Sequence, residues 1–324
     1  MLVSYVIPCY RSEKTLPVVV REIDEKMKTL PGYTHEIIMV CDGSPDNVWK
    51  VICDLSREKA SRRGILFSKN FGQHAALMAG IRAASGERII CLDDDGQTPA
   101  SEADRLLEAL DNGADVAYAR YAHKQHSLFR NLGTMMNEEM AYRMLGKPKA
   151  LFVSSYFAMR RFVADEIIRY ENSYPYLIGL VLRTTSNIVN VDVNHRARQT
   201  GSSGYTLSKL ISLWMNGFTA FSVKPLRIAT LVGTLSAIGG FLYGLYTIVK
   251  KFVRPDVPVG FSALMSAVVL FGGLILLMLG MVGEYVGRTY ISANRAPQYV
   301  IRERTEDPDA PEKDPRMNKA ADIK

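Results

Sequence analysis

The chain has 324 residues, enough for one large domain or two smaller ones, and a formal net charge of +7 at pH 7. The first two-thirds mixes charged and apolar residues as soluble α/β domains do, whereas apolar residues and glycine dominate after Pro225. This change argues against a chain that is soluble throughout, and the positive charge suits a surface near anionic lipid and an anionic ligand.

Five short apolar runs, each followed by polar or glycine-containing turns, predict β-strands in the first part of the chain. They are VSYVIPCY, HEIIMVCDGS, GILFSKNF, RIICLDDDG and ADVAYARY, and helical patterns cover residues 15–30, 47–61, 73–85 and 101–112. Alternating strands and helices predict a mostly parallel sheet covered on both faces. In such sheets ligands bind at the C-terminal ends of the strands.

The four cysteines show neither a C-x-x-C spacing nor a histidine at zinc-like distance. Cys9, Cys41 and Cys91 lie in or beside the apolar runs, so we expect them to be buried free thiols. Free thiols indicate a reducing compartment.

The middle of the chain is less regular. Residues 121–131 are polar and basic with two histidines and are expected to form a mobile loop, followed by a helical pattern over 132–145. Residues 204–222 place Leu207, Ile211, Trp214 and other apolar side chains on one helical face. This segment is either an amphipathic helix on a membrane surface or an ordinary domain helix.

Two later segments, residues 228–249 and 261–283, contain no charged side chain, and each has roughly the 20 residues needed to cross a bilayer. A buried hairpin of a soluble protein is the alternative, but such helices normally keep a polar face. We therefore predict two membrane spans. The opening LVSYVIPCY resembles a strand and not a signal peptide, so the first domain and the tail after the spans are both expected on the cytoplasmic side.

Three consecutive aspartates end the run RIICLDDDGQTP. Because side chains alternate along a strand, Asp93 and Asp95 are expected to share one side. Their oxygens suit Mg²⁺ or Mn²⁺, and a cation would remove the repulsion between them. An EF-hand is excluded because Thr98 occupies its glycine position. A solvated acidic turn that caps the next helix is the alternative.

Taken with the other strand ends and the spans, these motifs resemble the family 2 glycosyltransferases, which have a GT-A fold, and among them the polyprenyl-phosphate glycosyltransferases. The matching pieces are VIPCYRSEKTLP, IIMVCDGSPD, SKNFGQHAALMAGI, CLDDDGQTP, HRARQTGSSGYT and GEYVGRTY, between Val3 and about Arg302. The expected fold is α/β, a Rossmann-like GT-A domain with a mostly parallel sheet over residues 1–203. An amphipathic juxtamembrane helix (204–225), two transmembrane helices (226–285) and a cytoplasmic tail (286–324, disordered from about 305) follow.

The resemblance implies a donor site for a nucleotide diphosphate-sugar. The residues expected to bind this donor are Pro8, Tyr10, Glu13, Asp42, Asn70, Gly72, Asp93 and Asp94. Mg²⁺ or Mn²⁺ is expected on Asp93, Asp95 and Gln97. There it would neutralise the departing diphosphate.

The resemblance also implies an acceptor that is a polyprenyl phosphate. Arg120, Arg130 and Arg198 are expected to bind its phosphate, because a planar guanidinium matches phosphate oxygens. For each arginine a solvated surface charge is the alternative. Asp95, Arg198 and Ser154 are the candidate catalytic residues.

One motif departs from the family pattern. Where many relatives carry an aspartate in a G-D-F or G-D-Y motif, this chain reads LFVSSYFAMRRF, which puts Ser154 or Ser155 at that place. A phosphate monoester is already largely ionised at pH 7, so it needs no strong base to act as a nucleophile. An enzymatic function therefore remains the expectation.

The expected reaction is inverting transfer of a sugar to undecaprenyl or another polyprenyl phosphate at the inner membrane, by in-line attack. UDP-glucose is the first donor expected, with UDP-N-acetylglucosamine, UDP-galactose and GDP-mannose left open. A processive polysaccharide synthase is disfavoured because the sequence has no Q-x-x-R-W motif and only two spans. A non-catalytic nucleotide-sugar-binding scaffold is the other alternative. Relatives suggest a tetramer in the bilayer, and no nucleic-acid partner is expected.

Overall fold

The structure is a computed structural model that describes residues 1–96, 98–121, 142, 147–173, 175–194, 224–253, 260–294 and 296–305. Its strands are β1 (Leu2–Cys9), β2 (Thr34–Cys41), β3 (Arg62–Phe67), β4 (Arg88–Cys91), β5 (Val116–Tyr121), β6 (Phe157–Arg160), β7 (Ile188–Val193) and β8 (Ile301–Arg304). Its helices are α1 (Leu16–Lys28), α2 (Val48–Glu58), α3 (Gln73–Ala83), α4 (Ala103–Asp111), α5 (Arg161–Ile168), α6 (Leu177–Thr184), α7 (Lys224–Val253) and α8 (Phe261–Ala293).

The described strands form one sheet in the order β7-β5-β6-β4-β1-β2-β3-β8. The pairs β1–β2, β1–β4, β2–β3 and β5–β7 are parallel. Strand β6 is antiparallel to β4 and β5, and β8 is antiparallel to β3. The predicted α/β fold with a mostly parallel sheet is confirmed.

Each face of the sheet carries its own apolar core. Helices α1, α2 and α4 cover one face, and α3, α5 and α6 cover the other. Along β1, Tyr5 and Ile7 face the first core while Val6 faces the second, as the two-residue period of a strand requires. Cys9, Cys41 and Cys91 are buried free thiols, as the sequence predicts.

Several element boundaries differ from the sequence-based expectation. The helix expected over 101–112 begins as a 3₁₀ turn at Ala100–Glu102 and continues as α4. Tyr121, expected in a mobile loop, is the last residue of β5. Of the helix expected over 132–145 only residue 142 is described, and the juxtamembrane helix expected over 204–225 lies outside the described residues up to 223, with α7 beginning at Lys224.

The helices α7 and α8 cover both predicted spans. Their stretches Ala229–Tyr246 and Leu270–Ile291 are long and apolar enough to cross a membrane, with mean hydropathy 1.3 and 1.8. Only 6% and 0% of these stretches is buried, whereas a core helix of a soluble protein would be mostly buried. Helix α8 extends to Ala293, beyond the boundary at residue 285 expected from the sequence.

Residues 296–305, here called the return segment, lead the chain from α8 back to the sheet. In addition to the β3–β8 pairing, the Thr305 amide donates to the Gly64 carbonyl (3.0 Å), and its hydroxyl accepts from the Gly64 amide (2.7 Å). The sequence alone predicts only a tail here. Because β7 precedes the α7–α8 hairpin, β8 follows it and both strands belong to one sheet, the chain leaves and rejoins the same domain.

Candidate active site

The C-terminal ends of β1, β2 and β4 lie at the same end of the sheet. In the parallel register Cys9 is opposite Cys41, and Val6 is opposite Cys91. The loops that follow these strands contain most of the predicted donor-site residues that the structure describes. The parallel topology therefore brings together polar residues that are far apart in the sequence.

Asp42, directly after β2, is buried and fixes the loop that follows β3. Its two carboxylate oxygens accept the backbone N–H groups of Phe71 (2.6 Å) and Gly72 (2.8 Å), and the Asn70 side-chain amide donates to the Asp42 carbonyl (3.1 Å). Burial raises the pKa of Asp42, and the two N–H groups oppose that rise. We call residues 68–72 the β3–α3 loop. This holding role of Asp42 was not predicted from the sequence.

Gly43 lets the β3–α3 loop approach the loop after β2. Its φ is +56°, and a Cβ atom there would lie 2.4 Å from the backbone carbon of Lys69. A side chain would therefore force the two loops apart.

The three aspartates lie beyond β4, which ends at Cys91, so the alternation of side chains along a strand does not apply to them. The Asp94 carboxylate turns towards β1 and accepts the Tyr10 amide (2.9 Å). Burial raises the pKa of Asp94 to about 6; the Ser12 side chain and the Tyr10 amide oppose this rise, while the neighbouring aspartates add to it.

Asp93 and Asp95 lie near the Tyr121 phenol. Burial raises the pKa of Tyr121, and the negative charges of Asp93 and Asp95 raise it further. Asp93 is held from two sides, because Gln73 Nε2 donates to Oδ1 (2.8 Å) and the Ser155 hydroxyl donates to Oδ2. The expectation that Asp93 and Asp95 share one side stays a prediction.

The donor atoms of this acidic site fit a cation that is shared with a ligand. A carboxylate has about four lone-pair positions, so Asp93 can keep both hydrogen bonds and still bind a cation. In the described ranges no group of three or more His, Cys, Asp and Glu side chains is arranged to hold a metal, and Gln97 lies outside those ranges. Mg²⁺ commonly uses one or two carboxylates together with phosphate oxygens and water. Two aspartates therefore suit a cation that is bound together with a diphosphate.

The two serines of the LFVSSYF motif have different partners. Ser155 reaches Asp93, whereas the Ser154 hydroxyl donates to the Tyr156 carbonyl (2.7 Å). Ser155 is therefore the serine that contacts the acidic site. The sequence left this choice open because the two residues are adjacent.

The loop after β1 exposes an aromatic ring. Tyr10 is 44% exposed, and the Arg11 guanidinium lies 5.5 Å from its ring centroid. Arg11 has φ +59°, and its amide donates to the Ser44 hydroxyl (2.8 Å). Glu13 accepts the Asn47 amide (3.1 Å), so one of its carboxylate oxygens holds the loop after β2.

Pro8 is buried within β1, in register with Val40. Pro8 is therefore expected to contribute to the donor site by setting the course of the backbone that leads to Tyr10.

Of the three arginines expected at the acceptor phosphate, only Arg120 is described. It forms a two-point ion pair with Asp192 on the neighbouring strand β7, with distances of 2.6 and 2.9 Å. This pairing raises the pKa of Arg120. Asp192 was not predicted because β7 was not recognised in the sequence. Arg130 and Arg198 lie outside the described residues.

Two family models match the chain. The model described as "Glycosyl transferase family 2" matches residues 4–168, and "GtrB C-terminal hairpin" matches residues 224–289. The first covers the strands that form the candidate site, and the second covers most of α7 and α8.

Two similar proteins are both named undecaprenyl-phosphate 4-deoxy-4-formamido-L-arabinose transferase. The one from Yersinia enterocolitica is 34% identical over 306 residues, covering 93% of this chain and 92% of that protein. The one from Klebsiella pneumoniae is 30% identical over 315 residues, covering 96% of both. The similarity includes both the domain and the hairpin.

Solved structures of glucosyl-3-phosphoglycerate synthase from Mycobacterium tuberculosis share the fold. The complex with phosphoglyceric acid gives a TM-score of 0.50 at 16% identity, covering 66% of this chain and 76% of that one. The complex with Mn²⁺, uridine diphosphate and glucosyl-3-phosphoglycerate gives 0.50 at 17% identity, covering 72% and 79%. At these identities the likeness concerns the fold alone, and it agrees with the expected GT-A architecture.

Proposed function

Since the chain belongs to glycosyl transferase family 2, we propose that it transfers a sugar from a nucleotide diphosphate-sugar to undecaprenyl phosphate. The observation that carries this proposal is the alignment over 93% of the chain with a named undecaprenyl-phosphate sugar transferase. The acidic site at the strand ends supplies the groups that such a reaction needs.

The donor is proposed to be a UDP-sugar that binds over the loops after β1, β2 and β4. The exposed ring of Tyr10 is available to contact the nucleotide, and Asp42 and the β3–α3 loop form the adjacent wall. Two sugars are the main candidates. Glucose is the sugar expected from the sequence, and 4-deoxy-4-formamido-L-arabinose is the sugar in the names of the two relatives.

In the proposed reaction an oxygen of the acceptor phosphate attacks the anomeric carbon of the sugar. That C–O bond forms while the bond from the anomeric carbon to the diphosphate oxygen breaks, which inverts the configuration. A Mg²⁺ or Mn²⁺ ion on Asp93 and Asp95 would stabilise the charge on the departing diphosphate. Gln73 and Ser155 keep Asp93 in place for this role. The acceptor monoester is already ionised near neutral pH, so no serine needs to act as a base.

The acceptor phosphate is proposed to bind Arg120, Arg130 and Arg198. Arg120 would exchange its contact with Asp192 for the phosphate, which is feasible because both partners of that ion pair are about half exposed. Arg198 keeps the catalytic role expected of it, which is to hold the attacking phosphate.

The protein is proposed to be a multi-pass inner-membrane protein with its catalytic domain in the cytoplasm. Two crossings by α7 and α8 would return the chain to the side from which it started, as the β3–β8 pairing requires. A homo-oligomer remains part of the proposal.

The function can be tested with the full-length protein in detergent, undecaprenyl phosphate, Mg²⁺ or Mn²⁺, and a panel of radiolabelled nucleotide-sugars. We expect label in the organic extract with a UDP-sugar, and inverted configuration in the product. No extractable label with any donor would instead support a non-catalytic scaffold. Long polysaccharide products would support a processive synthase.

Replacing Ser155 with alanine is expected to lower kcat by about tenfold, because Asp93 loses a donor that orients it. Ser154→Ala is the matched control and should change kcat by less than about twofold, since its hydroxyl bonds a carbonyl outside the acidic site. Initial rates at saturating donor and acceptor measure both effects. The opposite order of the two effects would assign the catalytic role to Ser154.

A further inference from the structure

We propose that the return segment holds the β3–α3 loop in the conformation that binds the nucleotide, with Tyr299 as the positioning residue. The inference rests on the proposed function, because it takes Asp42 and Asp93 as parts of the donor site. On this proposal, the segment that follows α8 affects how tightly the protein binds the donor.

Tyr299 makes the central contact on the side of the return segment. Its ring stacks on Phe67, the last residue of β3, with ring centroids 5.0 Å apart and an interplanar angle of 7°. The Tyr299 hydroxyl accepts a hydrogen bond from Arg82 Nη1 (3.2 Å), and the Val300 carbonyl accepts the Ser68 amide (2.9 Å). The return segment therefore contacts both the end of β3 and the first residue of the loop.

Phe67 links Tyr299 to the donor site through its contact with Phe71. The Phe71 ring meets Phe67 edge to face at 5.7 Å, so Phe67 contacts Tyr299 and Phe71 together. The amide of Phe71 donates to the buried Asp42 carboxylate. Two residues later α3 begins with Gln73, whose side chain holds Asp93. Asp42 is thus bonded to the β3–α3 loop, and Asp93 is bonded to the first residue of the helix that follows this loop.

Ile301 in β8 also packs at this place: it pairs with Phe67 and is half-buried against the core that contains Phe67. The other three residues of β8 are exposed, so Tyr299 is the residue of the return segment that stacks an aromatic ring on Phe67. Gln298, before Tyr299, is buried and donates to the carbonyls of Tyr170 (2.7 Å) and Asn172 (2.9 Å), in the segment that follows α5. Loss of the Tyr299 ring should therefore loosen the β3–α3 loop more than the remainder of the sheet.

The test compares variants of the full-length protein in detergent, with UDP and Mn²⁺ as the probe in isothermal titration calorimetry. Tyr299→Ala is expected to weaken UDP binding by about tenfold through loss of the aromatic contact, while Tyr299→Phe keeps the ring and should stay within about twofold. Thr305→Ala, which removes a hydrogen bond to Gly64 at the far end of the segment, is the matched control and should bind UDP as the wild type does.

Hydrogen–deuterium exchange without nucleotide gives an independent measurement. The amides of Phe71 and Gly72 should exchange faster in Tyr299→Ala and stay protected in the control. If Tyr299→Ala does not fold, Tyr299→Leu serves instead, because it keeps apolar volume without the stacked ring. Unchanged affinity and exchange, or equal losses in Thr305→Ala, would overturn the inference. If the wild type binds no UDP, the proposed donor fails, and exchange at the two amides still decides whether Tyr299 holds the loop.

Discussion

Asp95→Asn is expected to lower kcat for sugar transfer by at least about a hundredfold, since a neutral amide cannot match a carboxylate as a ligand for a divalent cation. Asp93→Asn should have an effect of similar size for an additional reason. An asparagine side chain there would direct an NH₂ group at Gln73 or Ser155, which both donate to Asp93. Initial rates of label transfer to undecaprenyl phosphate, across a range of Mn²⁺ concentrations, measure the effect.

A surface aspartate provides the matched control for these two variants. Asp54 is on α2, with its side chain 57% exposed and paired with Arg57. Asp54→Asn makes the same chemical change outside the candidate site and should keep the wild-type rate. Direct Mn²⁺ binding in the presence of UDP, followed by electron paramagnetic resonance, provides a second measurement. Wild-type turnover and Mn²⁺ affinity in Asp95→Asn would assign the cation to other residues.

Replacing Asp42 with alanine is expected to reduce both stability and donor affinity. The substitution leaves the amides of Phe71 and Gly72 without their acceptor in a partly buried place, which costs about 2–4 kcal/mol. The thermal midpoint should then fall by about 5–10 °C. The KM for the donor should rise by about tenfold or more, because the β3–α3 loop loses the group that fixes it.

Asp42→Asn separates the two effects of Asp42. It keeps one acceptor oxygen and should lose about half of the stability lost in Asp42→Ala. Thermal unfolding in detergent, followed by tryptophan fluorescence, gives the midpoints, and initial rates give the KM values. An unchanged midpoint in Asp42→Ala would contradict the stabilising role of the two hydrogen bonds. A lowered midpoint with an unchanged KM would restrict Asp42 to supporting the loop.

The sequence predicts the part of the fold that has strong periodicity. The first five strands, the helices between them, the three buried cysteines and the two long apolar helices all carry their signal within a short window of residues. Strands β6 and β8 have four residues each, and β8 reads Ile-Arg-Glu-Arg, which has no apolar alternation. Such strands are defined by their pairing partners, so local sequence patterns do not reveal them.

The candidate site, like the fold, can be predicted from the sequence only in part. Strand-end motifs identify Asp42 and the aspartates, because a charge after a buried strand is visible in the sequence. The hydrogen bonds from Gln73 and Ser155 to Asp93 join residues 20 and 62 positions apart. The Arg120–Asp192 pair spans 72 positions and depends on the β5–β7 register. These partners follow from the topology of the sheet, which the motifs alone do not specify.

The pairing of β8 with β3 attaches the domain to the α7–α8 hairpin a second time, after α8. A domain on a single linker can swivel and tilt through a wide cone above a bilayer. Here Gln298 and Tyr299 follow the end of α8 at Ala293 by five and six residues, and both side chains are hydrogen-bonded to the domain. In the proposed membrane placement of α7 and α8, this short link should limit how far the end of the sheet that carries the three aspartates can tilt or rise above the lipid headgroups.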